Sequence, residues 1–139
     1  MMKPVIKGNC IAIPSNQEFL SDVDVFVEGM VRGFGADEST IADIAISVSE
    51  LVNNAILHGN RSLVDKSVTV TVTKENSAVA ISVCDQGNGF DPTIVDNPVD
   101  DENLLKEVGR GIYIVQSLMD RVDIEATDQG TTIKITKSL

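Results

Sequence analysis

The chain contains no run of eighteen or more apolar residues, and its opening Met1-Met2-Lys3-Pro4 leads into no apolar signal core. Neither a membrane span nor a secretory leader is expected, and the chain reads as soluble and cytoplasmic. It also lacks any basic block: 21 acidic residues against 11 basic ones give a formal net charge of −10. Phosphate backbones and anionic lipid repel such a surface, so nucleic acid and membrane are not expected partners. A basic protein surface could be one, although surplus acid also simply keeps a protein soluble. With one histidine, His58, a metal centre built from several histidines is excluded. The two cysteines, Cys10 and Cys84, lie in apolar strand-like runs without the spacing of a zinc or redox pair, and read as buried free thiols. The Gly-x-x-x-x-Gly-Lys-[Ser/Thr] pattern is missing, and Gly87 and Gly89 do not continue to a third glycine, which removes the P-loop and the Rossmann fingerprint. No internal repeat or low-complexity segment is present.

What remains suits one compact domain over residues 1–139, with 42% hydrophobic content for an ordinary core. Residues 4–13, with Val5, Ile11 and Ile13, predict a first strand at a sheet edge, broken at Pro14-Ser15. Ser15 or Asn16 can cap a helix reaching about Arg32, because Phe19, Val23, Phe26, Val27, Met30 and Val31 recur at helical spacing before Gly33-Phe34-Gly35. Asp37 can cap a second helix of about five turns, stopped by His58-Gly59-Asn60. Val68, Val70 and Val72 alternate with Thr69, Thr71 and Thr73, a half-buried strand; after Glu75-Asn76, residues 78–85 supply its antiparallel partner. A polar, breaker-rich stretch runs from Gln86 to about Leu104, long enough for a functional loop. A helix starting near Gly109 to Gly111 closes at Asp120, and strands at Val122–Glu125 and Thr131–Thr136 flank the turn Asp128-Gln129-Gly130. This order predicts an α+β two-layer sandwich, a mixed, mostly antiparallel sheet with helices on one face.

Three places carry chemistry. On the second helix, Ile41, Ile44, Ala45, Val48, Leu51, Val52, Ala55 and Ile56 form the core stripe, and Glu50 and Asn54 lie off it, one turn apart on one edge with Ser47 and His58 nearby. A carboxylate there can accept a proton, and an amide oxygen one turn on can bind a hard cation; the same letters also spell a solvated helix edge. Asp85 ends a strand just before Gln86-Gly87-Asn88-Gly89-Phe90, where it could accept from an exocyclic amine while the glycines make room for a flat ring; a plain turn has the same composition. Gly109-Arg110-Gly111 at a helix start offers N–H groups, the positive dipole end and a charged donor to phosphate, or is simply a loop-to-helix joint.

In this order the three motifs resemble the GHKL ATP-binding family of gyrase, histidine kinases and MutL, whose nucleotide site is the Bergerat fold. Within it, Glu50-Leu51-Val52-Asn53-Asn54-Ala55 with His58-Gly59 is similar to the small anti-sigma factor serine kinases of the RsbW and SpoIIAB type. The resemblance covers nearly the whole chain. It implies Mg²⁺ on Asn54, Glu50 as general base, and Asp85 on the adenine amino group. Gly87 and Gly89 would shape the adenine side, Gly109, Arg110 and Gly111 would meet the phosphates of ATP, and Thr131 would stand beside adenine. Residues 86–108 would contain a lid; its Asp96, Asp100, Asp101 and Glu102 repel phosphate unless Mg²⁺, Arg110 or Lys106 offsets them. The implied activity is Mg-ATP-dependent phosphorylation of a serine or threonine on a STAS-fold anti-anti-sigma factor, by a homodimer that also binds a sigma factor. The alternative is a nucleotide-gated binding switch with weak or no kinase activity. A sensor histidine kinase would need a further helical domain carrying its phosphorylated histidine, for which this length leaves no room.

Overall fold

The computed structural model describes residues 2–87 and 109–139. Valine–threonine alternation puts Val68, Val70 and Val72 of β3 (Ser67–Glu75) on a buried face and leaves Thr69, Thr71 and Thr73 half-exposed. Its hairpin partner β4 (Ala78–Cys84) buries Val79, Ile81 and Val83 on the same side. Asn76 makes the tight connection with a φ of 57°, a left-handed conformation that asparagine tolerates. On the other side of β4 runs β6 (Gly130–Ser138), followed at the edge by β5 (Arg121–Thr127). The opposite edge is a short hairpin, β1 (Val5–Lys7) and β2 (Cys10–Pro14), and the order is β1-β2-β3-β4-β6-β5 with every described pairing antiparallel.

The hairpin corrects the expected single strand over 4–13. Gly8, at a φ of 58°, and Asn9 fold the segment back on itself, so Ile6 pairs with Ile11. Val5 and Ile6 lie exposed on the outer strand whereas Ile11 and Ile13 are fully buried. The cysteines differ from expectation too. Cys10 and Cys84 are half-exposed, on the sheet face away from the helices, where the sulfurs lie 3.2 Å from Thr71 Oγ1 and 3.3 Å from Thr132 Oγ1. Period-two alternation puts them on the small-residue face rather than in the valine–isoleucine layer.

Helices cover that apolar layer. After a 3₁₀ turn at Gln17–Phe19, capped by Asn16 Oδ1 accepting from Glu18 N, α1 (Leu20–Gly33) buries Val23, Val27 and Val31. The second helix, α2 (Glu38–Asn54), starts where Asp37 Oδ1 accepts from Thr40 N and buries Ile41, Ile44, Val48, Leu51 and Val52. With its continuation to Gly59 it has the length and hydropathy of a membrane span. Its apolar stripe, however, lies in the core shared with α1 and the sheet, which accounts for that composition. A third helix, α3 (109–118), contributes buried Val115 and Met119 just beyond its end. Lys137 Nζ of β6 donates to Leu118 O at 2.6 Å and pairs with Asp43 of α2 at 3.3 Å, which anchors the end of α3 to the sheet and to α2.

Three carboxylates link this frame to pH. Asp37 is held below its ordinary 3.8 chiefly by the Thr40 main-chain N–H, and Asp120 likewise by the Ser138 N–H at 2.7 Å. Glu38 is held below 4.5 by the Arg32 guanidinium. A group whose pKa is lower in the folded chain takes up its proton first in the unfolded one, so its contribution is present above the ordinary value and lost as pH falls through the folded value. Thermal unfolding temperature is therefore expected to drop as the pH falls from 4.5 through 3.8 and below. A D37N/D120N double variant, which removes two of the three titrating carboxylates, should flatten that slope; an unchanged slope would clear both groups.

Candidate active site

Residues 50 and 54 stand one helical turn apart at the edge of α2, and both side chains are half-buried. One turn earlier Ser47 is fully buried, on the core side of that edge. The amide nitrogen of Asn54 is sealed from solvent and has no hydrogen-bond partner among the described residues, as is the Ser47 hydroxyl. A buried unpartnered amide is costly in a finished core and ordinary where a ligand completes it. Over the pair lies α3. A Cβ added to Gly111 would come within 2.8 Å of Asn54 Nδ2 and 3.1 Å of Glu50 Oε2, so the helix backbone approaches both side chains closely.

Past Asn54 the helix widens into a π-helical segment, Ala55–Gly59, whose wider turn is closed by Asn60 N donating to Ala55 O at 2.8 Å. Such segments recur at functional sites because the extra residue re-aims the chain beyond it. Here it brings Gly59 and Asn60 up to the end of β4. His58 lies within the segment and makes interactions of its own.

At the end of β4, Asp85 is only 7% exposed. Its main-chain N donates to Thr131 O at 3.0 Å, and its Oδ1 accepts from Gly87 N at 3.0 Å and Thr131 N at 3.1 Å. Those bonds fix the carboxylate plane and turn Oδ2 toward Gly59. Three glycines distant in sequence make this geometry possible. A Cβ on Gly59 would overlap Asp85 Oδ2, one on Gly87 the carbonyl oxygen of Gly59, and one on Gly130 the carbonyl oxygen of Asp85. Thr131 is buried beside Asp85, on the inward side that its alternation with Ile133 and Ile135 predicts.

Two clusters therefore form: Glu50, Asn54 and Gly111 at one end, and Asp85, Gly87 and Thr131 at the other. Gly109 and Arg110 do not join the first. Both are exposed, and a Cβ on Gly109 would meet nothing within 4 Å. Residues 109–111 are already helical, so their side chains fan out by about 100° each and Gly111 alone faces α2. Gly89, Lys106 and the acidic residues of the expected lid fall outside the described residues. Sequence reasoning missed Gly59, Gly130 and Asn60 as parts of the site. Gly59 and Asn60 looked like a helix stop and Gly130 like a hairpin turn, and no local signal marks their convergence on Asp85.

The sequence profile of the histidine kinase-like ATPase domain matches residues 13–137. The chain is 30% identical to the serine-protein kinase RsbW of Bacillus licheniformis over 135 residues, 91% of this chain and 82% of that protein. It is 31% identical to the same-named kinase of Staphylococcus aureus over 134 residues, 90% of this chain and 82% of that one. In fold it is similar to the crystal structure of the RsbU and RsbW domains of a Mycobacterium tuberculosis protein, with a TM-score of 0.71 and 24% identity, over 99% of this chain and 32% of that one. The chain thus spans about a third of that solved protein. The histidine kinase domain of an Erythrobacter litoralis blue-light activated kinase is similar at a TM-score of 0.57 and 20% identity, over 91% of this chain and 62% of that one. With the six-stranded sheet, its helical layer and the two clusters in place, the chain belongs to the histidine kinase-like ATPase family, in its branch of RsbW-type serine-protein kinases.

Proposed function

We propose that the chain is a Mg-ATP-dependent protein serine/threonine kinase of the anti-sigma type. It would hold a sigma factor and phosphorylate an anti-anti-sigma factor of the STAS fold, acting as a cytoplasmic homodimer. The observation that carries the reading is the sealed amide nitrogen of Asn54, without a partner among the described residues, one turn from Glu50 and under Gly111. An amide can present either end to the cleft by turning over, and its oxygen suits a hard cation, so the residues fit Mg²⁺. Bound there, Mg²⁺ would neutralise phosphate charge.

The chain's own groups then have separable tasks. Asp85 Oδ2, with Oδ1 already occupied by two main-chain N–H groups, would accept from the adenine amino group. Gly87 and Thr131 would bound the base, and Gly89, as the resemblance implies, would help shape the adenine side. Gly111 would let the α3 backbone approach the phosphates, and Gly109 and Arg110, which do not face α2, would have to meet them from the exposed side of the same helix. Glu50 would take the proton of the attacking hydroxyl, placed by the helix beside Asn54 so that positioning precedes transfer.

Isothermal titration with ADP and a non-hydrolysable ATP analogue, with and without Mg²⁺, tests the site. Binding should depend on Mg²⁺, and Asn54→Ala should weaken the Mg²⁺-dependent part by about tenfold or more. A folded chain that binds neither nucleotide would refute the reading.

A further inference from the structure

Asn60 is completely buried, and both its N–H donors and its carbonyl oxygen are engaged, across three segments. Its Nδ2 donates to Ser15 Oγ at 2.9 Å, after β2, and to Ser67 O at 2.9 Å, at the start of β3. Its Oδ1 accepts from Gln86 N at 2.8 Å, in the turn that follows Asp85. The amide has one possible orientation. Ser67 O only accepts, the Ser15 hydroxyl is committed as donor to Lys66 O at 2.6 Å, and Gln86 N only donates. No other side chain of this size donates on one edge and accepts on the other. Gln86 is gripped a second time, through its Oε1 accepting from Ser67 N at 2.7 Å.

We propose that Asn60 is a positioning residue that sets the Asp85–Gly87 turn against the end of the catalytic helix. The route is short. Asn60 leads directly out of the π-helical end of α2, the helix of Glu50 and Asn54, and its Oδ1 holds Gln86, between the Asp85 carboxylate and the Gly87 N–H that binds it. Without the Asn60 oxygen the Gln86 main chain loses its anchor and only its side chain stays on Ser67 N, so the Gly87 N–H is freer to leave Asp85 Oδ1, which keeps Thr131 N. The hydrogen bonds of Asn60 thereby fix the spacing between the base-recognising carboxylate and the phosphate-transferring end of the site. Its consequence for nucleotide affinity rests on the kinase reading above; its consequence for the turn does not.

The test pairs amide hydrogen exchange with ADP titration in Asn60→Asp and Asn60→Ala. The aspartate variant keeps an acceptor for Gln86 N but sets an acceptor against Ser67 O. Both variants are expected to speed exchange at the Gly87 and Thr131 amides by about tenfold or more, with Val72 and Ile81 unchanged, and to weaken ADP by a similar factor. Ser15→Ala removes one partner and should produce a smaller change in the same direction, which keeps the test open if the Asn60 variants do not fold. Folded variants in which Gly87 and Thr131 stay protected overturn the proposal, as do variants that bind ADP like the unaltered chain. If the unaltered chain binds no ADP, the kinase reading fails and the exchange at Gly87 and Thr131 decides the role of Asn60 alone.

Discussion

Glu50→Gln is expected to slow phosphoryl transfer to a serine-bearing partner by about 10²–10⁴-fold, with nucleotide binding largely intact. The substitution keeps the length and shape of the side chain, so the close approach of α3 at Gly111, 3.1 Å from Glu50 Oε2 for an added Cβ, need not change. What it removes is the capacity to accept a proton. Binding and transfer should therefore separate: titration with an ATP analogue tracks the first, and transfer of labelled phosphate to the partner the second. Loss of both together would mean that Glu50 holds the site's shape rather than the proton. Equal transfer rates would remove it from the chemistry and favour a switch in which nucleotide only gates partner binding.

Gly130→Ala is expected to destabilise the fold by roughly 2–5 kcal/mol, from a strained backbone conformation and a main-chain overlap together. Gly130 has a φ of 144°, which a side chain rarely adopts, and its Cβ would run into the carbonyl oxygen of Asp85. That oxygen belongs to the backbone of the β4 end, so relief requires moving the turn that carries the site. Gly87→Ala meets the same kind of obstacle in the carbonyl oxygen of Gly59 and should damage nucleotide binding along with stability. Gly29→Ala serves as the opposite case. It lies within α1 with open space around it, so a methyl group there should stabilise by about 0.4–1 kcal/mol through the unfolded chain. Urea unfolding of the three variants measures the stability changes and ADP titration of Gly87→Ala the loss of binding, and a Gly130→Ala chain as stable as the parent would refute the account of that turn.

Most elements of the fold are legible from local chemistry. The valine–threonine alternation of β3, the two-residue turn at Asn76, the Asn16 and Asp37 caps and the three-to-four-residue stripes of α1 and α2 each depend on neighbours within a few residues. The split of β1 from β2 was not legible, because Val5, Ile6, Ile11 and Ile13 look like one apolar run and Gly8 turns it through a single left-handed residue. The cysteines are free thiols as expected, but their burial was not legible for a related reason: alternation says that neighbouring residues face opposite ways, but burial of each face depends on where the helices pack.

The site divides along the same line. Helical spacing alone determined that Glu50 and Asn54 share an edge, and the strand end alone placed Asp85 before a glycine turn. Only the tertiary structure decided that Gly59, Gly87 and Gly130 converge around Asp85, that Gly111 rather than Gly109 or Arg110 faces Glu50 and Asn54, and that the buried Asn60 bonds Ser15, Ser67 and Gln86. These are mostly contacts between residues tens of positions apart. They arise when β4 is paired with both β3 and β6 and when the widened end of α2 reaches the same corner, and no local preference of the chain encodes that meeting.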